Sequence, residues 1–98
     1  MEVKDYIREN EPRFMDELFS LIRIPSISAQ PEHKDDMLAC AQRWRELLLA
    51  AGADEAMVMP SQGNPLVYAE KRVSPDAPTV LIYAHYDVMP PEPLELWK

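Results

Sequence analysis

The sequence has little of several features that define whole classes of proteins. Its 98 residues include one cysteine, so no disulfide can form within the chain. Residues 1–6 lack the basic and then apolar pattern of a secretory signal, and no apolar run approaches the roughly 20 residues that cross a bilayer. Ten Lys and Arg against seventeen Asp and Glu, without a basic cluster, argue against nucleic acid as a partner. We therefore expect a cytoplasmic protein that binds neither nucleic acid nor membrane.

Two stretches repeat apolar residues at the spacing of an amphipathic helix. The first covers about residues 2 to 22 and contains Pro12, which predicts a kink or a fresh helix start at that point. The second runs between Pro31 and Gly52, which match the usual residues at the two ends of a helix. Its apolar stripe comprises Met37, Cys40, Ala41, Trp44, Leu47, Leu48 and Ala51. The stripe predicts a packed helix with Trp44 as a core residue rather than a cofactor platform.

Three short strands are predicted after the helices, at Glu55 to Met59, Pro65 to Lys71, and Thr79 to Ala84. The third is almost continuously apolar, which is typical of a strand covered on both faces in the middle of a sheet. Two helices followed by about three strands predict an α/β layered domain with a mixed sheet.

His85 and Asp87 follow directly after the third predicted strand. Side chains at i and i+2 of an extended chain point to the same face, so both should project together from the end of this strand. A metal-binding imidazole needs a hydrogen-bond acceptor on its other nitrogen, commonly a carboxylate. His85 is therefore a candidate metal ligand and Asp87 its orienting carboxylate. A two-residue motif also arises by chance, but the prolines from Pro90 onward make the chain leave the sheet here and place the pair at its rim.

Two other residues have the chemistry of metal ligands without suitable surroundings. His33, the other histidine, lies in a polar stretch beside a predicted helix start and is interpreted as a solvated surface residue. Cys40 lies on the apolar stripe of the second helix, where an unpaired cysteine behaves as a small hydrophobe. Because a catalytic zinc ion takes three protein ligands and keeps one position open, a single imidazole does not hold it. Residues 1–98 alone therefore do not form a complete metal site.

The sequence resembles a known family in two separated segments. Leu81 to Trp97, with the core H-x-D-V-x-P at residues 85–90, resembles the first metal-site motif of the dinuclear zinc peptidases that include carnosinase, acetylornithine deacetylase and succinyl-diaminopimelate desuccinylase. Upstream, Leu21 to Ser28 resembles the segment with which this family leaves its first helix. The extension Pro91 to Trp97 is closer to the carnosinase-like dipeptidases than to the deacetylases. The resemblance covers essentially residues 1–98, but only the N-terminal part of the family's catalytic domain.

This resemblance implies a function for two residues. His85 corresponds to a zinc ligand of the family, and Asp87 to the catalytic residue that steers its imidazole. The complete enzyme would bind two zinc ions and hydrolyse a small peptide with a metal-activated water. The resemblance places the enzyme's other ligands, its general base and a dimerisation domain after Lys98. Residues 1–98 alone are therefore expected to be inactive, and a homodimer of the full-length protein is a further expectation. Two alternatives stay open: a deacetylase of the same family acting on an N-acyl amino acid, and a short non-catalytic interaction module.

Overall fold

The computed structural model describes residues 1–98 and confirms the α/β class, with two α-helices and a two-stranded sheet. Helix α1 comprises Val3–Ile22, helix α2 comprises Lys34–Ala50, strand β1 comprises Glu55–Met59 and strand β2 comprises Leu66–Glu70. A single 3-10 turn, Pro31–His33, leads into α2. Neither α-helix combines the length and the apolar character needed to cross a membrane.

Helix α1 is continuous through Pro12, so a fresh helix start at this residue is wrong. Proline has no N–H to donate to the preceding turn. The carbonyl that loses this donor belongs to Arg8, which is exposed, so water can satisfy it and the helix continues. None of the residues of α1 is buried, and Ile22 on the predicted apolar stripe is 63% exposed. The stripe is therefore largely a surface feature.

Helix α2 carries most of the small core. Met37, Cys40 and Ala41 are buried, with Ala41 fully enclosed, whereas Trp44 is only partly buried and lies at the margin of the core. The helix packs on the sheet, where Arg45 donates from Nε to the carbonyl of Ala56 at 2.9 Å. Ala56 is itself 7% exposed. The predicted packed face of this helix is thus present, but it covers only a two-stranded sheet.

The C-terminus of α2 is closed by a Schellman motif. The N–H of Ala53 donates to the carbonyl of Leu48 at 3.0 Å, and the N–H of Gly52 donates to the carbonyl of Leu49 at 3.1 Å. Gly52 has a φ of 108°, a conformation that glycine adopts without the steric cost of a Cβ atom. The predicted helix stop at Gly52 is confirmed.

Strands β1 and β2 form an antiparallel hairpin. The register places Glu55 opposite Glu70 and Met59 opposite Leu66. The predicted bounds of the first strand are confirmed, and the second strand is one residue shorter at each end than predicted. Pro65 lacks a donor for the ladder, which is consistent with its lying just outside β2.

The third strand predicted at Thr79 to Ala84 is absent, so the sheet is antiparallel rather than mixed. The side chains from Val80 to Tyr83 are 81–90% exposed. An extended segment becomes part of a sheet only when a neighbouring strand supplies partners for its N–H and C=O groups. Residues 79–84 make no backbone hydrogen bond within the chain. The apolar run that predicted burial therefore lies on the surface, and His85 does not stand at the rim of the sheet.

Candidate metal centre

The candidate residues lie in a segment that pairs with the loop between α1 and α2. Ile27 and Val88 form an isolated parallel β-bridge. The N–H of Val88 donates to the carbonyl of Ser26 at 2.9 Å, and the Ser26 hydroxyl donates to the carbonyl of Tyr86 at 2.8 Å. Ser26 is 1% exposed and Ile27 is 6% exposed. The loop thus holds the backbone of residues 86–88 in place from within the core.

Tyr86 ties the same segment to the hairpin and to α2. Its hydroxyl donates to the carbonyl of Pro65 at 2.6 Å, and the Cys40 thiol lies 4.0 Å from the carbonyl oxygen of Tyr86. Burial raises the pKa of the Tyr86 phenol and of the Cys40 thiol, because a poorly solvated site disfavours their charged forms. Cys40 is 2% exposed, which confirms its interpretation as a small buried hydrophobe.

His85 and Asp87 lie side by side. The Nδ1 atom of His85 is 2.8 Å from Oδ1 of Asp87. An ionised carboxylate only accepts hydrogen bonds, so Nδ1 carries the proton and Nε2 is the acceptor of the neutral ring. The His85 side chain is 75% exposed and that of Asp87 is 41% exposed. The site therefore offers one accessible imidazole lone pair beside a fixed carboxylate.

Both oxygens of the Asp87 carboxylate are engaged. The Ser28 hydroxyl donates to Oδ2 at 2.6 Å, while Oδ1 faces the ring of His85. The hydrogen bond from Ser28, followed by that from His85, lowers the pKa of Asp87 below its usual range because both stabilise the charged form. Asp87 is therefore an ionised acceptor at neutral pH, as orientation of an imidazole through Nδ1 requires.

Sequence reasoning gave Ser26 and Ser28 no role in the site. The signal that could have found them is the alternation of two hydroxyls around an apolar residue, which is typical of an extended segment with one polar face. Nothing in that local pattern identifies its partner. The partner carbonyl of Ser26 lies 60 residues further along the chain.

The described residues offer one candidate metal ligand and not a complete site. No group of three or more His, Cys, Asp or Glu side chains lies close enough together to hold a metal ion. His33 contacts Asp36 through Nδ1 at 2.8 Å, and 26% of its side chain is exposed, so it is less solvated than expected. The donor chemistry at His85 fits a zinc ion as one ligand, because zinc accepts a neutral imidazole nitrogen whose other nitrogen is held by a carboxylate.

One comparison with known proteins bears on the class of this chain. The chain is similar to a cysteinylglycine-S-conjugate dipeptidase of Corynebacterium striatum, with 32% identity over 88 residues. The aligned region is 90% of this chain and 19% of the relative, so the chain spans about a fifth of the length of the curated relative it matches. No protein-family model and no solved structure matches the chain. The similarity suggests a dipeptidase-like hydrolase.

Proposed function

We propose that this chain contributes the first part of the metal site of a zinc-dependent dipeptidase that acts on small peptides. The observation that carries the proposal is the contact between His85 and Asp87, an exposed imidazole held at Nδ1 by an ionised carboxylate. The similarity to a dipeptidase supports the reaction class. Residues outside 1–98 would complete the ligand set, since residues 1–98 contain no group of three or more His, Cys, Asp or Glu side chains that could hold a metal ion.

Each residue of the site has a defined task in this proposal. His85 binds a zinc ion through Nε2, and Asp87 keeps the proton on Nδ1 and fixes the orientation of the ring. When bound, zinc polarises a carbonyl group and lowers the pKa of a water molecule. Ser26 and Tyr86 hold the backbone beneath these two side chains. The chain itself therefore determines the orientation and tautomer of the ligand before any metal binds.

The proposal is tested by three variants in the longest polypeptide that the gene encodes. His85→Ala is expected to remove bound zinc together with dipeptide hydrolysis, because the ligand is lost. Asp87→Asn is expected to keep most of the zinc and to lower turnover by about 10–100-fold, since the amide no longer orients the ring in the same way. His33→Ala is the matched control, because His33 also contacts a carboxylate but lies at the start of α2.

Zinc content by elemental analysis and hydrolysis of dipeptides measure the two effects separately. The control is expected to match the unaltered protein in both. Full activity in His85→Ala and Asp87→Asn would show that the site is elsewhere. Hydrolysis of N-acyl amino acids, but not of dipeptides, would agree with the proposed metal site and contradict the proposed substrate class.

A further inference from the structure

The carboxylate of Asp87 is held from two directions by groups that are far apart in sequence. His85 contacts Oδ1 at 2.8 Å, and the Ser28 hydroxyl donates to Oδ2 at 2.6 Å. A carboxylate bound at one oxygen can still rotate about its terminal torsion, because the energy profile of that torsion is broad. A second bond at the other oxygen removes this freedom. Ser28 therefore fixes the plane of the group that faces the imidazole.

Ser28 is itself held by the backbone around it. The parallel bridge between Ile27 and Val88, with the bond from Val88 to the carbonyl of Ser26, aligns the two segments. In that alignment Ser28 and Asp87 are close enough for their side chains to meet. Ser28 is partly buried, whereas His85 is exposed. Ser28 thus lies on the inner side of Asp87, and the ring of His85 lies on the outer side.

We propose that Ser28 is a positioning residue that acts through Asp87 to keep the proton of the neutral His85 ring on Nδ1 and to leave Nε2 free for a metal ion. The effect on the tautomer is a property of the chain alone. Its consequence for metal binding rests on the proposed function. Without Ser28 the carboxylate can turn away from His85, and the ring then favours the tautomer of a free imidazole, with the proton on Nε2.

The tautomer is measured directly by long-range ¹H–¹⁵N correlation of the imidazole rings, without metal and at a pH where both rings are neutral. In the longest polypeptide that the gene encodes, selective ¹⁵N-histidine labelling makes the rings of His33 and His85 visible, and the signals lost in His33→Ala and His85→Ala assign them. The pair Ser28→Thr and Ser28→Val has nearly the same shape and differs in the hydroxyl. We expect Ser28→Thr to keep the proton of His85 on Nδ1 and Ser28→Val to move most of it to Nε2. Asp87→Ala gives the distribution of the His85 proton between Nδ1 and Nε2 when no carboxylate faces the ring.

Two controls separate positioning from a merely structural role. His33 faces Asp36 without a serine on that carboxylate, so its tautomer is expected to stay the same in all variants. Ser26→Ala removes the bond to the carbonyl of Tyr86 and keeps Ser28. If Ser26→Ala alters His85 as much as Ser28→Val does, the serines only hold the segment together and the proposal is wrong. An unchanged His85 tautomer in Ser28→Val also overturns it.

Zinc affinity distinguishes this inference from the proposed function. In the longest polypeptide that the gene encodes, we expect Ser28→Val to bind zinc about tenfold more weakly than Ser28→Thr. A shifted tautomer in a protein that binds no zinc would support the positioning role of Ser28 and contradict the proposed function. Zinc bound at His85 with the same tautomer in both Ser28 variants would support the proposed function and contradict the positioning role of Ser28.

Discussion

At the scale of single residues, two aspartates each join separate parts of the chain through both carboxylate oxygens. Asp87 does so beside the candidate metal ligand. Asp54 does so at the open end of the hairpin, where it accepts the backbone N–H of Arg72 at 2.8 Å and the Nζ of Lys71 at 3.2 Å. The bonds of Asp87 orient the ring of His85, whereas those of Asp54 hold the open end of the hairpin together. An aspartate with two donors is therefore not by itself a sign of function in this chain.

The ionisation of Asp54 makes the closure of the hairpin depend on pH. The backbone N–H of Arg72, followed by the Lys71 ammonium, lowers the pKa of Asp54 below its ordinary value. A carboxyl group with a lowered pKa stabilises the folded state above its unfolded pKa of about 3.9, and this contribution is lost as the pH falls through the folded pKa. We expect an acid titration of the Asp54 carboxyl carbon by NMR to show a midpoint below about 3.9.

Lys71→Ala provides the control for this titration, because it removes the ammonium partner of Asp54 and leaves the backbone N–H of Arg72 in place. The midpoint of Asp54 should move toward its ordinary value in high salt, since Asp54 lies on the surface where ion pairs are screened. In Asp54→Asn, the acid-dependent weakening of the hairpin is expected to diminish. A midpoint of Asp54 that returns to about 3.9 in Lys71→Ala would contradict the role given to Arg72.

At the scale of elements, the end of α2 depends on one backbone conformation. Gly52 has a φ of 108°, and a Cβ atom added there meets no atom within 4 Å. Gly52→Ala therefore introduces backbone strain without a clash and is expected to cost about 1–2 kcal/mol of stability. Gly63→Ala is the matched control, because its added Cβ is equally free and its φ lies outside the left-handed region. Denaturant unfolding should show a loss only for Gly52→Ala, and equal losses would contradict the argument.

Elements whose signals are local could be predicted from the sequence. The stop of α2 at Gly52 and the bounds of β1 follow from residues next to them, and the meeting of His85 and Asp87 follows from their i, i+2 spacing. Features that depend on distant partners could not. The contact between Ser28 and Asp87 joins residues 59 positions apart, and the register that brings them together has no local signal.

The wrong prediction of a third strand has the same cause. The apolar run from Thr79 to Ala84 indicates a segment suited to burial, but burial needs neighbouring strands and a covering layer. Within residues 1–98 only one hairpin forms, and its strands pair with each other. The apolar pattern therefore identified a segment suited to burial, but residues 1–98 do not provide the surface that would bury it.

At the scale of the whole molecule, the chain encloses little core. Its radius of gyration is 16.2 Å, against about 13 Å for a compact domain of similar length. Six of its residues are buried, and 24 large hydrophobic side chains are exposed. Their area would favour contact with further protein surface, because burying apolar area contributes roughly 25 cal/mol per Å². The stability of these 98 residues by themselves is therefore expected to be low.

The exposed run from Val80 to Tyr83 makes these 98 residues prone to concentration-dependent self-association. Its N–H and C=O groups are free to pair with another copy, and no charged residue between Thr79 and Ala84 opposes that pairing. We expect sedimentation velocity to show larger species as the concentration rises. Ile82→Lys is expected to reduce them, because paired copies would bring like charges close together.

Val73→Lys is the control for this prediction, because Val73 is 83% exposed and lies outside the run. Both substitutions move the net charge from -7 one unit toward zero, which by itself favours association. A decrease in Ile82→Lys alone would therefore arise from the run and not from overall charge. Equal decreases in both variants, or an unaltered chain that stays monomeric at every concentration, would rule out strand pairing by residues 80–83 as the contact between copies.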